Sequence, residues 1–227
     1  MNKVDIHKNL SYYRYEFLLF ALVLLIFDKI FFPDDDIYIR YVWFVNMIIV
    51  AIATFGIFSE HNKAVLLFRK IMGFISMIMP FLFIFFKNIE AFIIFLSVFY
   101  LLYYTFIFSI VLYQIALTRE VRVNVVIGSF CGYLLLSMIA LFSFLLLETF
   151  MPKSFHGITY GNTSLIYNQL SYFSFITLTS IGFGDIYPIN DSSRLAVAFF
   201  GMMGQFYMVA VVGIIISKFT SSSTSNG

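Results

Sequence analysis

The stretch Thr177-Leu178-Thr179-Ser180-Ile181-Gly182-Phe183-Gly184-Asp185-Ile186-Tyr187-Pro188 decides how this chain is read. Two glycines flank one aromatic residue. Glycine takes backbone angles that other residues avoid, so an extended segment alternating glycine with substituted residues can turn successive carbonyls to one side, which regular helix and strand cannot do. Upstream, Leu165 to Leu178 is a short apolar segment, bounded by Pro152, Gly157 and Gly161 before it and by Pro188, Asn190 and Asp191 after the loop. It is too short to cross a bilayer and too apolar to be a loop, which predicts a re-entrant helix at membrane depth. Such a helix must be buried by other protein, so neighbouring subunits are expected.

The rest of the chain agrees with a bilayer. Of its 227 residues 61% are hydrophobic and 11% charged, and the mean hydropathy is +0.94, more than a soluble domain of this length carries. A net charge of +2 with dispersed basic residues argues against nucleic acid as a partner and against a polybasic lipid-binding surface. The single cysteine, Cys131, lies in an apolar run and reads as a small core residue. Met1 to Ser11 are polar with no small-residue cleavage site after them, so the first apolar segment is expected to stay in the protein.

Six spans are predicted. Ala91 to Leu117, Val125 to Leu147 and Leu195 to Ser217 carry no charge; Tyr41 to Ser59 is a fourth; Ala64 to Phe86 qualifies if Arg69 and Lys70 snorkel to the interface. Tyr12 to Phe32 has an uncharged centre only from Phe17 to Phe27, and an interfacial helix is its alternative. With both termini cytoplasmic, Lys3, Lys8, Arg14, Lys63, Arg69, Lys70, Arg119, Arg122 and Lys218 fall inside. Lys29, Arg40, Lys87, Lys153 and Arg194 fall outside, beside the acidic Asp34, Asp35 and Asp36. The asymmetry has the positive-inside sign.

The glycine loop, the threonines before it, Asp185 after it, the helix-sized segment upstream and the span downstream together resemble the potassium-channel superfamily, from about Ser164 to Gly213. The resemblance implies an all-α membrane protein: six transmembrane helices plus a re-entrant pore helix and selectivity-filter loop, assembled as a fourfold homotetramer with three identical subunits and membrane lipids as partners. It divides the chain into a cytoplasmic N-terminus (1–11), a four-helix domain like a voltage sensor (12–117), a linker (118–124), a pore domain (125–218) and a polar tail (219–227). Within the pore domain the outer helix is 125–150, the pore helix about 164–178, the filter 179–185 and the inner helix 192–218. The filter residues are then Thr179, Ser180, Ile181, Gly182, Phe183, Gly184 and Asp185. Carbonyls of Ser180, Ile181, Gly182 and Phe183 would ligate K+, the permeant ion; no cofactor is expected. The protein would be a multi-pass protein of a plasma membrane or a bacterial inner membrane.

Departures from the family's commonest pattern carry expectations of their own. Serine at 180 replaces threonine and phenylalanine at 183 replaces tyrosine, as in the ether-à-go-go-related branch. Phe183 lacks the phenol that ties the family's filter to pore-helix aromatics, here Tyr172 and Phe173, and Ile176 stands where a carboxylate often pairs with the aspartate matching Asp185. That predicts a loosely braced filter, with Asp185 free or paired with Arg194. Gly204 matches the family's gating hinge; Gly201 and Gly213 are further candidates, each a bend or a close helix contact. Gln205 is expected to face the cavity below the filter, because hydrocarbon penalises an unpaired amide.

The fourth span has no arginine ladder, so it gathers no work from voltage, each elementary charge across 100 mV supplying about 2.3 kcal/mol. Arg119 and Arg122 read as interfacial anchors. His7, His61 and His156 are scattered over different loops and make no metal motif, and His156 as an external pH sensor is a minor idea. Asn162-Thr163-Ser164 and Asn190-Asp191-Ser192 match glycosylation triplets, with Asn162 or Ser164 better read as an N-cap of the pore helix. No acid-base pair, nucleophile motif or phosphate loop points to an enzyme. A weakly selective monovalent cation channel is the nearest alternative, and a non-conducting regulatory membrane subunit the alternative of another class.

Overall fold

A computed structural model describes residues 14–32, 38–56, 63–86, 89–117, 123–161 and 163–224. The helices are α1 (Arg14–Phe27), α2 (Trp43–Gly56), α3 (Lys63–Phe86), α4 (Glu90–Leu117), α5 (Val123–Phe150), α6 (Thr163–Leu178) and α7 (Asp191–Thr224). A 3-10 turn, Asp28–Ile30, ends α1, and a wide turn, Tyr38–Val42, leads into α2. Four helices are long and apolar enough to cross a membrane among the described residues: Leu67–Phe86 of α3, α4, α5 and Asp191–Val211 of α7. They correspond to the third to sixth predicted spans. The helix α1 and the apolar part of α2, Trp43–Thr54, are shorter. The predicted N-terminal segment 1–11 and most of the linker, 118–122, lie outside the described residues.

Two boundaries differ from the sequence reading. Helix α7 continues through Thr224, so residues 219–224, expected as a tail without structure, are helical. Serine and threonine lower helix propensity by only tenths of a kcal/mol each, too little to stop a helix already nucleated by the apolar turns before it. The all-helical expectation also meets one short antiparallel pair, β1 (Phe155–His156) against β2 (Tyr187–Pro188), with Phe155 opposite Pro188 and His156 opposite Tyr187.

Helix α5 is the spine. It packs against α4, α1, α6 and α7, and its buried residues run almost its whole length. Close approach comes from its small residues: a Cβ on Gly128 would press on the Tyr15 ring of α1 at 3.2 Å, and one on Gly132 would collide with the Tyr207 hydroxyl of α7. That hydroxyl donates to the Ser129 carbonyl at 2.7 Å. On α1, Tyr15 donates to Gln114 of α4 at 2.6 Å, so four helices are tied together in one half of the bundle.

Three tyrosines of α4, Tyr100, Tyr103 and Tyr104, face inward. Tyr100 and Tyr104 stack on Phe142 of α5 at centroid distances of 5.3 and 5.7 Å, while Tyr103 shares a hydrogen bond with Thr54 of α2 at 2.7 Å. Tyr100 solves a backbone problem. Pro80, inside α3, has no N–H for the carbonyl four residues earlier, that of Ser76. The Tyr100 hydroxyl donates to that carbonyl at 3.2 Å. At the other end of the bundle the buried Asp28 carboxylate accepts from Tyr38 at 2.9 Å and from the Asn46 amide, so both of its oxygens are satisfied. Trp43 then packs at a tilt on Phe83 of α3 and meets Tyr167 of α6 edge-on at 6.1 Å, joining the first helices to the start of α6.

Tyr100→Phe strands the Ser76 carbonyl and is expected to destabilise the detergent-solubilised protein by about 1–3 kcal/mol. Pro80→Ala, which restores the missing N–H, should recover most of that loss in the double variant. Equal melting of wild type and Tyr100→Phe would show that the hydroxyl is not the partner that carbonyl needs.

Candidate functional site

The glycine loop leaves the C-terminus of α6 and runs to β2. Leu178 and Ile186 are buried at its two ends, while every residue from Thr179 to Asp185 is exposed in the single chain. Its backbone alternates. Ser180, Gly182 and Gly184 have φ of +57°, +51° and +82°, and Ile181 and Phe183 between them do not have positive φ. Alternating hand along an extended chain is a backbone that can turn successive carbonyls to one side. The C-terminal end of α6, with the negative end of its dipole, stands at the start of that segment.

This geometry is not free. A residue other than glycine in the left-handed region costs about 1–2 kcal/mol, which Ser180 incurs. Around Gly182 and Gly184 a Cβ would meet nothing within 4 Å, so at those positions it is φ alone that selects glycine within one chain.

The brace behind the loop is made largely of main chain. The Ile176 carbonyl accepts from the Gly182 N–H at 3.2 Å, and the Thr177 carbonyl from the Ser180 N–H at 3.1 Å. The Ile176 side chain offers no polar partner, as its chemistry dictates, but its carbonyl supplies a tie that a residue-type reading overlooks. The Tyr172 hydroxyl lies beside the Asp185 carboxyl; burial first, and then that carboxyl, raise the phenol's pKa. Arg194, the partner considered for Asp185, lies instead 3.8 Å from Asp191, one turn away on the exposed start of α7. Phe173 packs into an aromatic cluster rather than bonding across to the loop: Phe144 of α5 lies 5.4 Å from Phe173, 5.5 Å from Phe155 and 5.4 Å from Phe200 of α7.

The segment between α5 and α6 holds the far end of the loop. Buried Glu148 accepts from the N–H groups of Lys153, at 2.6 Å, and Ser154, at 3.0 Å, closing the turn in which Lys153 takes φ +67°. Tyr160 donates to the Phe155 carbonyl at 3.0 Å, and burial, with the Glu148 carboxylate nearby, pushes its phenol up to about 12. Ser154 meets the start of α7: its carbonyl accepts from the Ile189 N–H at 2.8 Å and the Ser193 hydroxyl at 3.0 Å, and its hydroxyl accepts from Asn190 at 2.7 Å. Asn190 caps α7 through the Ser193 N–H at 2.8 Å, a structural use of a residue read as part of a glycosylation triplet. Gly157, at φ +84°, lies so close to the Asp185 carbonyl that a Cβ would collide with it. The His156 ring stacks on Tyr187 at 4.6 Å. Glutamate, serine and asparagine at helix ends are too common to stand out in sequence, and only their convergence on Ser154 identifies them. Of the two expected caps of α6, Asn162 lies outside the described residues and Ser164 lies within the helix, which begins at Thr163.

Below the loop, α7 passes the base of α6 at Gly204. A Cβ there would strike the Leu178 carbonyl oxygen and come within 2.9 Å of the Leu178 Cα, a collision of backbone with backbone. Gly201 is looser, 3.8 Å from the Thr177 carbonyl, and Gly213 faces open space. Of the three glycines, Gly204 is the one required by packing. The next residue, Gln205, donates from Nε2 to the Ser180 hydroxyl at 2.9 Å, which brings together two residues read separately as cavity and loop.

Gly204→Ala is expected to drive α7 from the base of α6, destabilising the protein by about 1–3 kcal/mol or more and abolishing loop-dependent activity. Gly213→Ala should leave stability unchanged or raise it by up to about 1 kcal/mol through helix propensity. Thermal unfolding of both variants checks the contrast; equal behaviour would remove the packing role of Gly204.

Residues 123–221, from the start of α5 nearly to the end of α7, match the ion channel family model. No curated protein and no solved structure matches the chain. The similarity falls on the helices and loop that form this site, and residues before α5 lie outside it.

Proposed function

We propose that the chain is one subunit of a homotetrameric, potassium-selective channel that conducts K+ passively, with the filter formed by residues 179–185 of four copies. The observation that carries this reading is the alternation of positive φ at Ser180, Gly182 and Gly184 at the foot of α6. Four such strands around one axis place rings of carbonyls from Ser180, Ile181, Gly182 and Phe183 where they can replace the hydration shell of K+. One loop per chain requires four chains to close a ring. The outer face of α7 supports this, since Leu195, Phe199, Met202, Phe206 and Val209 are exposed at helical spacing, an apolar stripe that other copies would cover.

Counting α1 and α2 as short spans gives six crossings. Residues 38–56 are continuously helical, about 28 Å at 1.5 Å per residue, close to the thickness of the hydrocarbon core. With six crossings both termini are cytoplasmic, as the basic-residue asymmetry requires. Gating by a charged fourth helix is not part of the proposal, because α4 carries its only charge at Glu90, in its first turn, and is tied to α2, α3 and α5 by its tyrosines. A weakly selective cation pore is the second reading, favoured by Phe183, which has no hydroxyl to tether the filter.

Purified protein in liposomes, under a potassium-against-sodium gradient with stepped voltage, is expected to reverse near the potassium potential with little dependence on voltage. Gly182→Ser, which puts a side chain at φ +51°, should lower the K+/Na+ permeability ratio at least tenfold. Reversal near zero in the wild type would favour the weakly selective pore, and absence of flux at every voltage would count for a non-conducting subunit.

A further inference from the structure

We infer that Gln205 is a positioning residue for the innermost cation site of the proposed filter: it orients the Ser180 hydroxyl and so sets the affinity of that site. The inference rests on the pore reading above and adds a residue from α7 to a site otherwise built by the loop alone.

The two side chains come from different elements, 25 residues apart, and meet at 2.9 Å with the Gln205 Nε2 donating to the Ser180 Oγ. The contact is built in by the backbone. Gly204, immediately before Gln205, allows α7 to lie against Leu178 with no side chain between them, and Leu178 is two residues before Ser180. The reach of the amide is therefore fixed by one helix packing on the end of another.

The chemistry of Ser180 explains why its hydroxyl needs a partner. Serine has no branch at Cβ to restrict χ1, as the threonine of the family's commonest pattern would have. Its hydroxyl therefore rotates unless a partner holds it. An amide N–H on Oγ stops that rotation and occupies one of the two lone pairs, and it requires the hydroxyl hydrogen to point elsewhere. The second lone pair remains for a cation. Without the amide the oxygen must be oriented as the ion binds, and affinity falls because the ligand is no longer preorganised.

A glutamine that merely satisfies its own amide in an apolar surrounding would have no effect on ion affinity through Ser180. A double-mutant cycle separates the two roles. The probe is Ba2+, a doubly charged ion close to K+ in size, titrated calorimetrically into purified full-length protein in sodium buffer. Gln205→Met keeps length and volume while removing the donor, and Ser180→Ala removes the hydroxyl. Each single variant is expected to weaken Ba2+ binding about tenfold, the loss of one oriented ligand, and the double variant should be no weaker than either single one.

An affinity within twofold of wild type in Gln205→Met overturns the inference, as does a double variant whose loss is the product of the two single losses. If Gln205→Met does not fold, Gln205→Ala passes through the same cycle with the same outcomes. A wild type that conducts in liposomes but shows no Gln205 dependence defeats this inference alone, whereas a wild type that carries no cation flux defeats the pore reading itself.

Discussion

The alternating backbone of residues 180–184 cannot maintain itself. Positive φ at Ser180 opposes the ordinary preference of an L-residue by about 1–2 kcal/mol, and a segment that alternates hand has given up the ladder that stabilises ordinary strands. The conformation persists because the surroundings over-determine it. Gly204 lets α7 lie directly on Leu178 at the lower end, the Ile176 carbonyl holds the Gly182 N–H in the middle, and Gly157 presses against Asp185 at the upper end.

Those three contacts depend on the elements behind them. Phe144, Phe155, Phe173 and Phe200 come from α5, β1, α6 and α7 and fill the space behind the loop with aromatic side chains, all of them buried. Packed interiors deform little, so displacing any one of these elements is felt by the rest. At the upper end Glu148, Ser154, Asn190 and Ser193 tie the end of α5 to the start of α7 through buried and part-buried hydrogen bonds, each worth about 1 kcal/mol while made and more if one partner is stranded. The absence of a phenol on Phe183 therefore does not leave the loop without lateral support. That support comes from main-chain carbonyls and from the neighbouring turn.

The first four helices use the same economy of charge. Helix α4 presents Tyr100, Tyr103 and Tyr104 to α2, α3 and α5, with one hydroxyl assigned to the carbonyl that Pro80 frees. Among the described residues, buried Asp28 is matched by two donors rather than by a cation. A helix fastened on three sides by hydroxyls and stacked rings suits a fixed strut between the first helices and α5.

Much of this was legible in the sequence because it is local. The glycine spacing at 182 and 184 reports the φ the backbone must take, uncharged runs report which helices can lie in hydrocarbon, and the missing arginines in Ala91 to Leu117 report that no ladder of charge is present. What depended on partners through space was not legible. That Gly204 rather than Gly201 or Gly213 is required by packing, that Asp185 meets Tyr172 and Arg194 meets Asp191, and that Gln205 reaches Ser180 all follow from how α7 seats on α6. Main-chain carbonyls such as those of Ile176 and Ser76 are present at every residue and leave no mark in residue type, so the partners they hold became visible only once the helices were packed together.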